Sequence, residues 1–307
     1  MAHVYPKAYF GSGLVPTADA SLSITSAAVL YGLSVYTVLP VTMAPDGRAL
    51  AFRLGDHYRR LVNSARIIGI DTFEPAWSED RLLEAVREVV LANEVAEEVF
   101  VRVSVHVDAQ LPGTRSRGIS TVVSMFVYTA EPILPLDGAR LKTSVWRRIP
   151  DYAIPSRAKV NGAYVNSVLG KQDAIDSGYD DCVFLDAAGH VCELSAANIF
   201  IVRGGALVTP STASDLLEGI NRSTVLQIAE RLGLPAHERE VDLTELYIAD
   251  EVFACGTSTY VAPVIEVDAR VVNGNTIGPV TARIREKYEA VLRGQDPDFE
   301  GFVTRLA

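Results

Sequence analysis

Apolar and polar residues alternate most clearly over 99–108, where Val101, Val103, Val105 and Val107 interleave with Arg102, Ser104 and His106. A period of two sends the valines to one face and the polar side chains to the other, which predicts a strand with one core face. Residues 33–43 read as another strand, ending at the turn Pro45-Asp46-Gly47, with 50–53 as its return. The period becomes helical over 54–68, where Leu54, Tyr58, Leu61, Val62, Ala65 and Ile68 fall on one stripe. A second helix follows Ser78, a suitable N-cap, and buries Leu82, Leu83, Val86, Val89 and Val90. Residues 121–129 read as a strand that is apolar on both faces.

The pattern then lapses. Residues 130–138 (AEPILPLDG) hold two prolines, a glycine and no periodicity, so 131–138 is the expected linker between an N-terminal α/β domain at 1–130 and a C-terminal domain at 139–307. Beyond it hairpins dominate: 182–186 with 191–194 about Ala187-Ala188-Gly189, and 198–202 with 206–208 about Gly204-Gly205. A helix is expected over 222–232 with Gly233 as its stop, and a short one where Asp242 and Glu245 suit a capping box. Strands at 251–255 and 261–267 precede a final helix from about residue 280. No repeat or low-complexity segment interrupts the order.

Composition narrows the function. The 307 residues are 49% hydrophobic and 21% charged, enough apolar material for a core and a length that suits two domains. The net charge of −10 argues against a nucleic-acid or anionic-membrane binder, which needs a basic face, but leaves room for a small basic pocket. No apolar run approaches the roughly 20 residues of a membrane helix. Residues 1–10 lack a basic stretch followed by an apolar one. Cys182, Cys192 and Cys255 are odd in number and form no C-x-x-C pair, so reduced structural thiols and a cytoplasmic location are expected.

Several mechanistic motifs fail. Gly11-Ser12-Gly13 opens like a dinucleotide fingerprint, but Pro16 stands where the third glycine belongs. Walker, H-E-x-x-H and G-x-S-x-G patterns are missing, and five scattered histidines define no metal site. Ser156-Arg157-Ala158-Lys159 matches S-x-x-K without its companion S-D-N.

Four segments of the second half do fit together. Ala158-Lys159-Val160-Asn161-Gly162-Ala163-Tyr164 sets a lysine just before a helix, and Glu193 ends a strand before Leu194-Ser195-Ala196-Ala197-Asn198. Leu217-Glu218-Gly219-Ile220-Asn221-Arg222 opens a helix, and Phe253-Ala254-Cys255-Gly256-Thr257 is a strand ending in a Gly-Thr turn. With residues 52–64 (FRLGDHYRRLVNS) as a fifth, these segments resemble, in order and spacing, class IV aminotransferases, the pyridoxal-phosphate enzymes of fold type IV. The branched-chain amino-acid aminotransferases look most similar. The resemblance spans nearly the whole chain and implies a two-domain α/β fold of the D-amino-acid aminotransferase type. In that fold a smaller α/β N-terminal domain and a larger C-terminal pseudo-barrel hold the cofactor between them.

The resemblance assigns roles that the chemistry explains. Lys159 matches the lysine that holds pyridoxal 5′-phosphate as a Schiff base and then moves a proton as the freed amine. Glu193 matches the acid beside the pyridine nitrogen, and Tyr164 the hydrogen-bond partner of the phenolate oxygen. Leu217, Gly219, Ile220, Asn221, Gly256 and Thr257 match cofactor-binding positions, the start of a helix being suited to the phosphate. Of Arg59 and Arg60, Arg60 shares a polar stripe with His57 and Ser64 and aligns with the family's phosphate-binding arginine. Phe100-Val101-Arg102 resembles an aromatic-x-Arg strand of the substrate pocket, in which Arg102 would take the distal carboxylate of glutamate or 2-oxoglutarate. Tyr31, Tyr36, Thr257 and Ser258 match further pocket positions.

Two stretches depart from the family. Leu194-Ser195-Ala196-Ala197-Asn198 stands for the usual Gly-Ser-Gly-Glu-Asn, and Tyr36-Thr37-Val38-Leu39 for Phe-Glu-Gly-hydrophobic. The expected reaction is ping-pong transfer from a hydrophobic, L-branched-chain amino acid to 2-oxoglutarate by a homodimer or larger homo-oligomer. D-amino-acid or (R)-amine transamination, or an aminodeoxychorismate lyase, would use the same lysine and glutamate. A non-catalytic cofactor-binding protein is disfavoured by intact Lys159, Tyr164 and Glu193.

Overall fold

The computed structural model describes residues 3–110 and 112–306; Met1, Ala2, Leu111 and Ala307, which fall in the expected domain ranges, lie outside the described residues. The chain forms two compact units that share it almost evenly. One comprises Met1–Glu131, Ala158–Ala163 and Val291–Ala307; the other comprises Pro132–Arg157 and Tyr164–Ala290.

The first unit is built on an antiparallel sheet. Its strands are β1 (Val4–Phe10), β2 (Gly13–Pro16), β3 (Ser34–Met43), β4 (Ala49–Phe52), β5 (Val99–Val107) and β6 (Thr121–Thr129), with Val303–Arg305 at the C-terminus. The seven run in the order C-terminal strand-β4-β3-β5-β6-β1-β2. The helices are α1 (Ala27–Tyr31), α2 (Leu54–Ile67), α3 (Phe73–Ala76) and α4 (Glu79–Ala92). The β5 valines share one core with Leu61, Val62 and Ala65 of α2 and with Leu82, Val86, Val89 and Val90 of α4. Each such side chain contributes roughly 1.5–3 kcal/mol on burial. Ser78 caps α4 as expected, its Oγ accepting from Arg81 N. Gly11-Ser12-Gly13 is simply the β1–β2 hairpin turn, with Phe10 paired to Gly13.

On the other face of the sheet Val38 pairs with Arg102, Tyr36 with Ser104 and Ser34 with His106. Ser104 is buried, and Arg102 and His106 are half-buried. The polar side of β5 is therefore sheltered.

Two pieces of chain expected in the C-terminal domain return to this unit through backbone pairing. Val160 bridges Val35, and the C-terminal strand pairs with β4, Thr304 opposite Ala51. Conversely, the expected linker 131–138 packs into the second unit from Pro132 onward. Leu134 is buried in its core, Ile133 N donates to Ser258 O at 2.8 Å, and Leu136 O accepts from Arg285 Nη1 at 2.6 Å.

The second unit holds β7 (Ala139–Arg147), β8 (Asp181–Leu185), β9 (Val191–Leu194), β10 (Asn198–Arg203), β11 (Ala206–Pro210), β12 (Ala236–Arg239), β13 (Glu251–Gly256), β14 (Tyr260–Val267) and β15 (Arg270–Val271). The order is β12-β11-β10-β13-β14-β7-β8-β9, with β15 beside β14. The last strand of that order, β9, leads directly into β10 through residues 195–197, closed by Leu194 N donating to Ala197 O at 2.7 Å. So short a connection across the order forces the sheet to curl on itself as a pseudo-barrel.

Its helices are α5 (Tyr164–Asp176), α6 (Ile220–Arg231), α7 (Leu243–Tyr247) and α8 (Pro279–Leu292), the last continuing into the first unit's C-terminal segment. Helix α7 has both arms of the Asp242–Glu245 capping box. Helix α6 starts before the expected residue 222 because its cap is Gly219, and Gly233 at φ +65° follows its end. Helix α5 turns Ser167, Gly170 and Ala174 inward, and a Cβ at Gly170 would lie 2.4 Å from the Phe184 ring.

Candidate active site

In the first unit, one stripe of α2 gathers the predicted lysine and arginine. Ser64 Oγ donates to Arg60 O at 2.8 Å and accepts from Lys159 N at 3.1 Å. Lys159 O in turn accepts from Tyr36 N at 3.0 Å. The Lys159 backbone is thus held on both sides, and its Nζ lies 5.0 Å from the centre of the Tyr36 ring. Gly162 N donates to Gly32 O at 3.2 Å, and a Cβ at Gly32 would come within 2.8 Å of Gly162 Cα. Gly32 also sits at φ +63°, so this contact requires glycine twice over.

The two arginines separate. Arg60 Nη2 donates to Thr37 Oγ1 at 3.1 Å, and that oxygen lies 2.6 Å from His57 Nδ1. Burial, with the positive charges of Arg60, Arg53 and Lys159, holds His57 well below its ordinary pKa. Its neutral ring can therefore accept the Thr37 hydroxyl hydrogen at Nδ1. Nε2 of His57 has no hydrogen-bond partner among the described residues. Arg59 is exposed and pairs with Asp56 instead.

Arg102 lies over the same tyrosine, its Cζ 3.6 Å from the Tyr36 ring centre, and Nη2 donates to Asn161 Oδ1 at 3.1 Å. Beside it His106 contacts Ser34 and Ser124, and burial together with Arg102 pushes its pKa down to about 4. Two more expected pocket residues flank this cluster, Phe100 on the same face of β5 as Arg102 and Tyr31 just before Gly32. Phe100 is fully buried against Tyr128, their ring centres 5.6 Å apart, and Tyr31 is exposed at the end of α1.

In the second unit Glu193 is a buried carboxylate with donors on both oxygens. Oε1 pairs with Arg148 Nη2 at 2.7 Å, while Oε2 accepts from Asn198 Nδ2 and Leu217 N, each at 3.2 Å. Asn198 Nδ2 also reaches Leu217 O at 3.0 Å. The amide lies on Gly219, where a Cβ would fall 2.0 Å from Asn198 Oδ1, so only glycine fits.

Gly219 caps α6 with no side chain of its own, and the first turn carries Ile220 and Asn221, both buried. Asn221 Oδ1 is buried with no hydrogen-bond partner among the described residues. Gly256 packs closely on the 195–197 turn, a Cβ there meeting Ala196 O at 3.3 Å. Thr257 and Ser258 form the turn that follows, Thr259 N donating to Gly256 O at 3.2 Å. Tyr164 is half-buried at the first position of α5.

Residues 34–267 match the family described as amino-transferase class IV. This chain belongs to the class IV aminotransferases. It is 34% identical over 301 residues to a probable branched-chain-amino-acid aminotransferase of Aquifex aeolicus, covering 97% of this chain and 96% of that one. Among solved structures, it is similar to a branched-chain aminotransferase of Thermoproteus uzoniensis determined with norvaline: TM-score 0.94, 33% identity, 99% of this chain and 100% of the other. The branched-chain amino acid aminotransferase of Thermobaculum terrenum, in its PLP-form, matches with a TM-score of 0.92 at 29% identity over 99% of both chains.

The chain thus offers a lysine whose backbone is held on both sides, a paired carboxylate, and a helix start of the kind that favours anions. No group of three or more His, Cys, Asp or Glu among the described residues could hold a metal ion. Thr37, Arg148, Asn161 and Asn198 contact these side chains without an expected role. Asn198 carried a signal, standing in the segment after Glu193. Arg148 carried none, because nothing local ties it to a residue 45 positions away.

Proposed function

We propose that this enzyme uses pyridoxal 5′-phosphate, attached through Lys159, to transfer an amino group from a hydrophobic L-branched-chain amino acid to 2-oxoglutarate by a ping-pong route. The arrangement around Lys159 carries the reading: an amine held by Ser64 and Tyr36 through its own backbone, beside a guanidinium on the same aromatic ring. When bound, the cofactor supplies an aldehyde for the amine and a ring that takes up electrons from the substrate's Cα.

The chain's own residues do the rest. Lys159 Nζ holds the cofactor and carries the proton. Glu193, paired with Arg148, would face the pyridine nitrogen of the bound cofactor, and Tyr164 would donate to its phenolate oxygen. Arg60, the α6 start at Gly219-Ile220-Asn221 and the Gly256-Thr257 turn take the phosphate, with Leu217 completing the cofactor contacts. The orphaned Asn221 oxygen supports that fit, since turning the amide over presents Nδ2 to an anion. Thr257 and Ser258 receive the substrate's α-carboxylate. Tyr36 offers an apolar wall to an aliphatic side chain, and Arg102 a charge to the distal carboxylate of the dicarboxylic partner.

We further propose a homodimer. Helix α5 exposes Val165, Val168 and Leu169 while its small residues face inward, and Val145 and Trp146 of β7 are exposed as well. That reverses the usual disposition of a surface helix. The three free, buried cysteines suit a reducing compartment, and we place the enzyme in the cytoplasm.

An amino-donor panel with 2-oxoglutarate and pyruvate as acceptors tests the substrate reading. Turnover of L-leucine or L-valine with 2-oxoglutarate is expected. Activity confined to D-alanine or (R)-1-phenylethylamine, or pyruvate released from aminodeoxychorismate, would overturn it.

A further inference from the structure

Arg102 does not hang loose on its strand. Its guanidinium face rests 3.6 Å from the Tyr36 ring centre, and one edge is tied to Asn161 Oδ1 at 3.1 Å. The ring contact and the hydrogen bond together restrict how the guanidinium can turn. Asn161 can do this because its own backbone is pinned. It lies two residues after Lys159, between the Val160–Val35 bridge and the Gly162–Gly32 hydrogen bond.

The chemistry of the tether matters as much as its place. An amide oxygen accepts from the guanidinium without cancelling its charge, so the other N–H groups stay available to an incoming carboxylate. A carboxylate at residue 161 would pair with Arg102 and consume that charge. The amine and the guanidinium also contact one ring, Lys159 Nζ being 5.0 Å from its centre.

We propose that Asn161 is a positioning residue that presents Arg102 to the distal carboxylate of the dicarboxylic substrate, and thereby sets how the enzyme divides between dicarboxylic and aliphatic partners. This rests on the reading that Arg102 binds that carboxylate. An apolar substrate gains nothing from the tether, so the effect of losing it is selective.

The test is steady-state kinetics with L-valine as donor and either 2-oxoglutarate or 4-methyl-2-oxopentanoate as acceptor. Asn161→Ala is expected to raise the KM for 2-oxoglutarate about tenfold, the worth of a hydrogen bond to a charged group, with kcat and the KM for 4-methyl-2-oxopentanoate unchanged. Asn161→Asp raises the 2-oxoglutarate KM further, and Asn161→Ser, which keeps an acceptor oxygen, restores part of it. If Asn161→Ala and Asn161→Ser instead lower kcat alike for both acceptors, Asn161 merely anchors the lysine segment and the proposal fails. Arg102→Ala separates the two layers. If it leaves the 2-oxoglutarate KM unchanged, the reading of Arg102 falls and this proposal with it. If it raises that KM while Asn161→Ala does not, only the proposal falls.

Discussion

Arg148→Met tests whether Glu193 depends on a charge partner. The two side chains are 13% and 7% exposed and meet at 2.7 Å, so neither is much compensated by solvent. Methionine fills the volume of arginine's stem but takes the guanidinium away from the carboxylate, while the Asn198 amide and the Leu217 N–H stay in place. Removing one partner of a buried pair costs about 3–5 kcal/mol, because the remaining charge stays desolvated. With each kcal/mol worth roughly 2–4 °C in a unit of this size, the melting temperature should fall by about 10 °C. The assay is thermal unfolding of the holoenzyme followed by circular dichroism at pH 7.5, for Arg148→Met, Glu193→Gln and the double variant. Glu193→Gln should restore at least half of the loss on the Arg148→Met background, since a neutral amide needs no countercharge. A drop below about 1 kcal/mol, or a double variant as unstable as the two singles added, would show that Glu193 does not depend on Arg148.

Three further outcomes follow from the geometry. Arg60→Ala should raise the cofactor dissociation constant roughly 10- to 100-fold, the worth of charge-assisted hydrogen bonds to a phosphate, whereas Arg59→Ala, at an exposed ion pair, should change it by less than about threefold; fluorescence titration of the apoenzyme measures both. Gly219→Ala should cost roughly 2–4 kcal/mol in urea unfolding, because its methyl displaces the Asn198 amide from Glu193 and Leu217; unchanged stability would contradict the packing. For His106, a folded pKa near 4 against 6.5 for the unfolded chain means stability that is full above pH 6.5 and lost as pH falls toward 4. About 3 kcal/mol is at stake, so the wild type should lose more stability than His106→Gln between pH 7.5 and 4.5, and a constant difference between them would count against the buried ring.

What the sequence reveals depends on the range of the interaction that carries it. The β5 alternation, the α2 and α4 stripes, Ser78 and the Asp242–Glu245 box are local signals, and each appears in the structure. The polar stripe His57-Arg60-Ser64 also converges as its spacing implies, with Ser64 linking Arg60 to Lys159. The return of 158–163 to the first unit is not local, since it follows from pairing Val160 with Val35 across most of that unit's sequence. The linker at 131–138 misleads for a related reason. An extended segment with two prolines shows no period whether it is solvated or, as with Leu134, packed in a core. Asn161 and Arg148 become visible only once Tyr36 and Glu193 are placed, because a polar residue in a loop announces no partner.

We propose Lys159 as the amine that carries the cofactor. Borohydride reduction of the yellow holoenzyme, followed by proteolysis and mass spectrometry, tests it most directly. A phosphopyridoxyl group is expected on the peptide containing Lys159, with no covalent label in Lys159→Ala, where Arg60 and Glu193 are expected to hold the cofactor reversibly. A label on another lysine, such as Lys142 or Lys171, or an unlabelled protein after reduction, would contradict it.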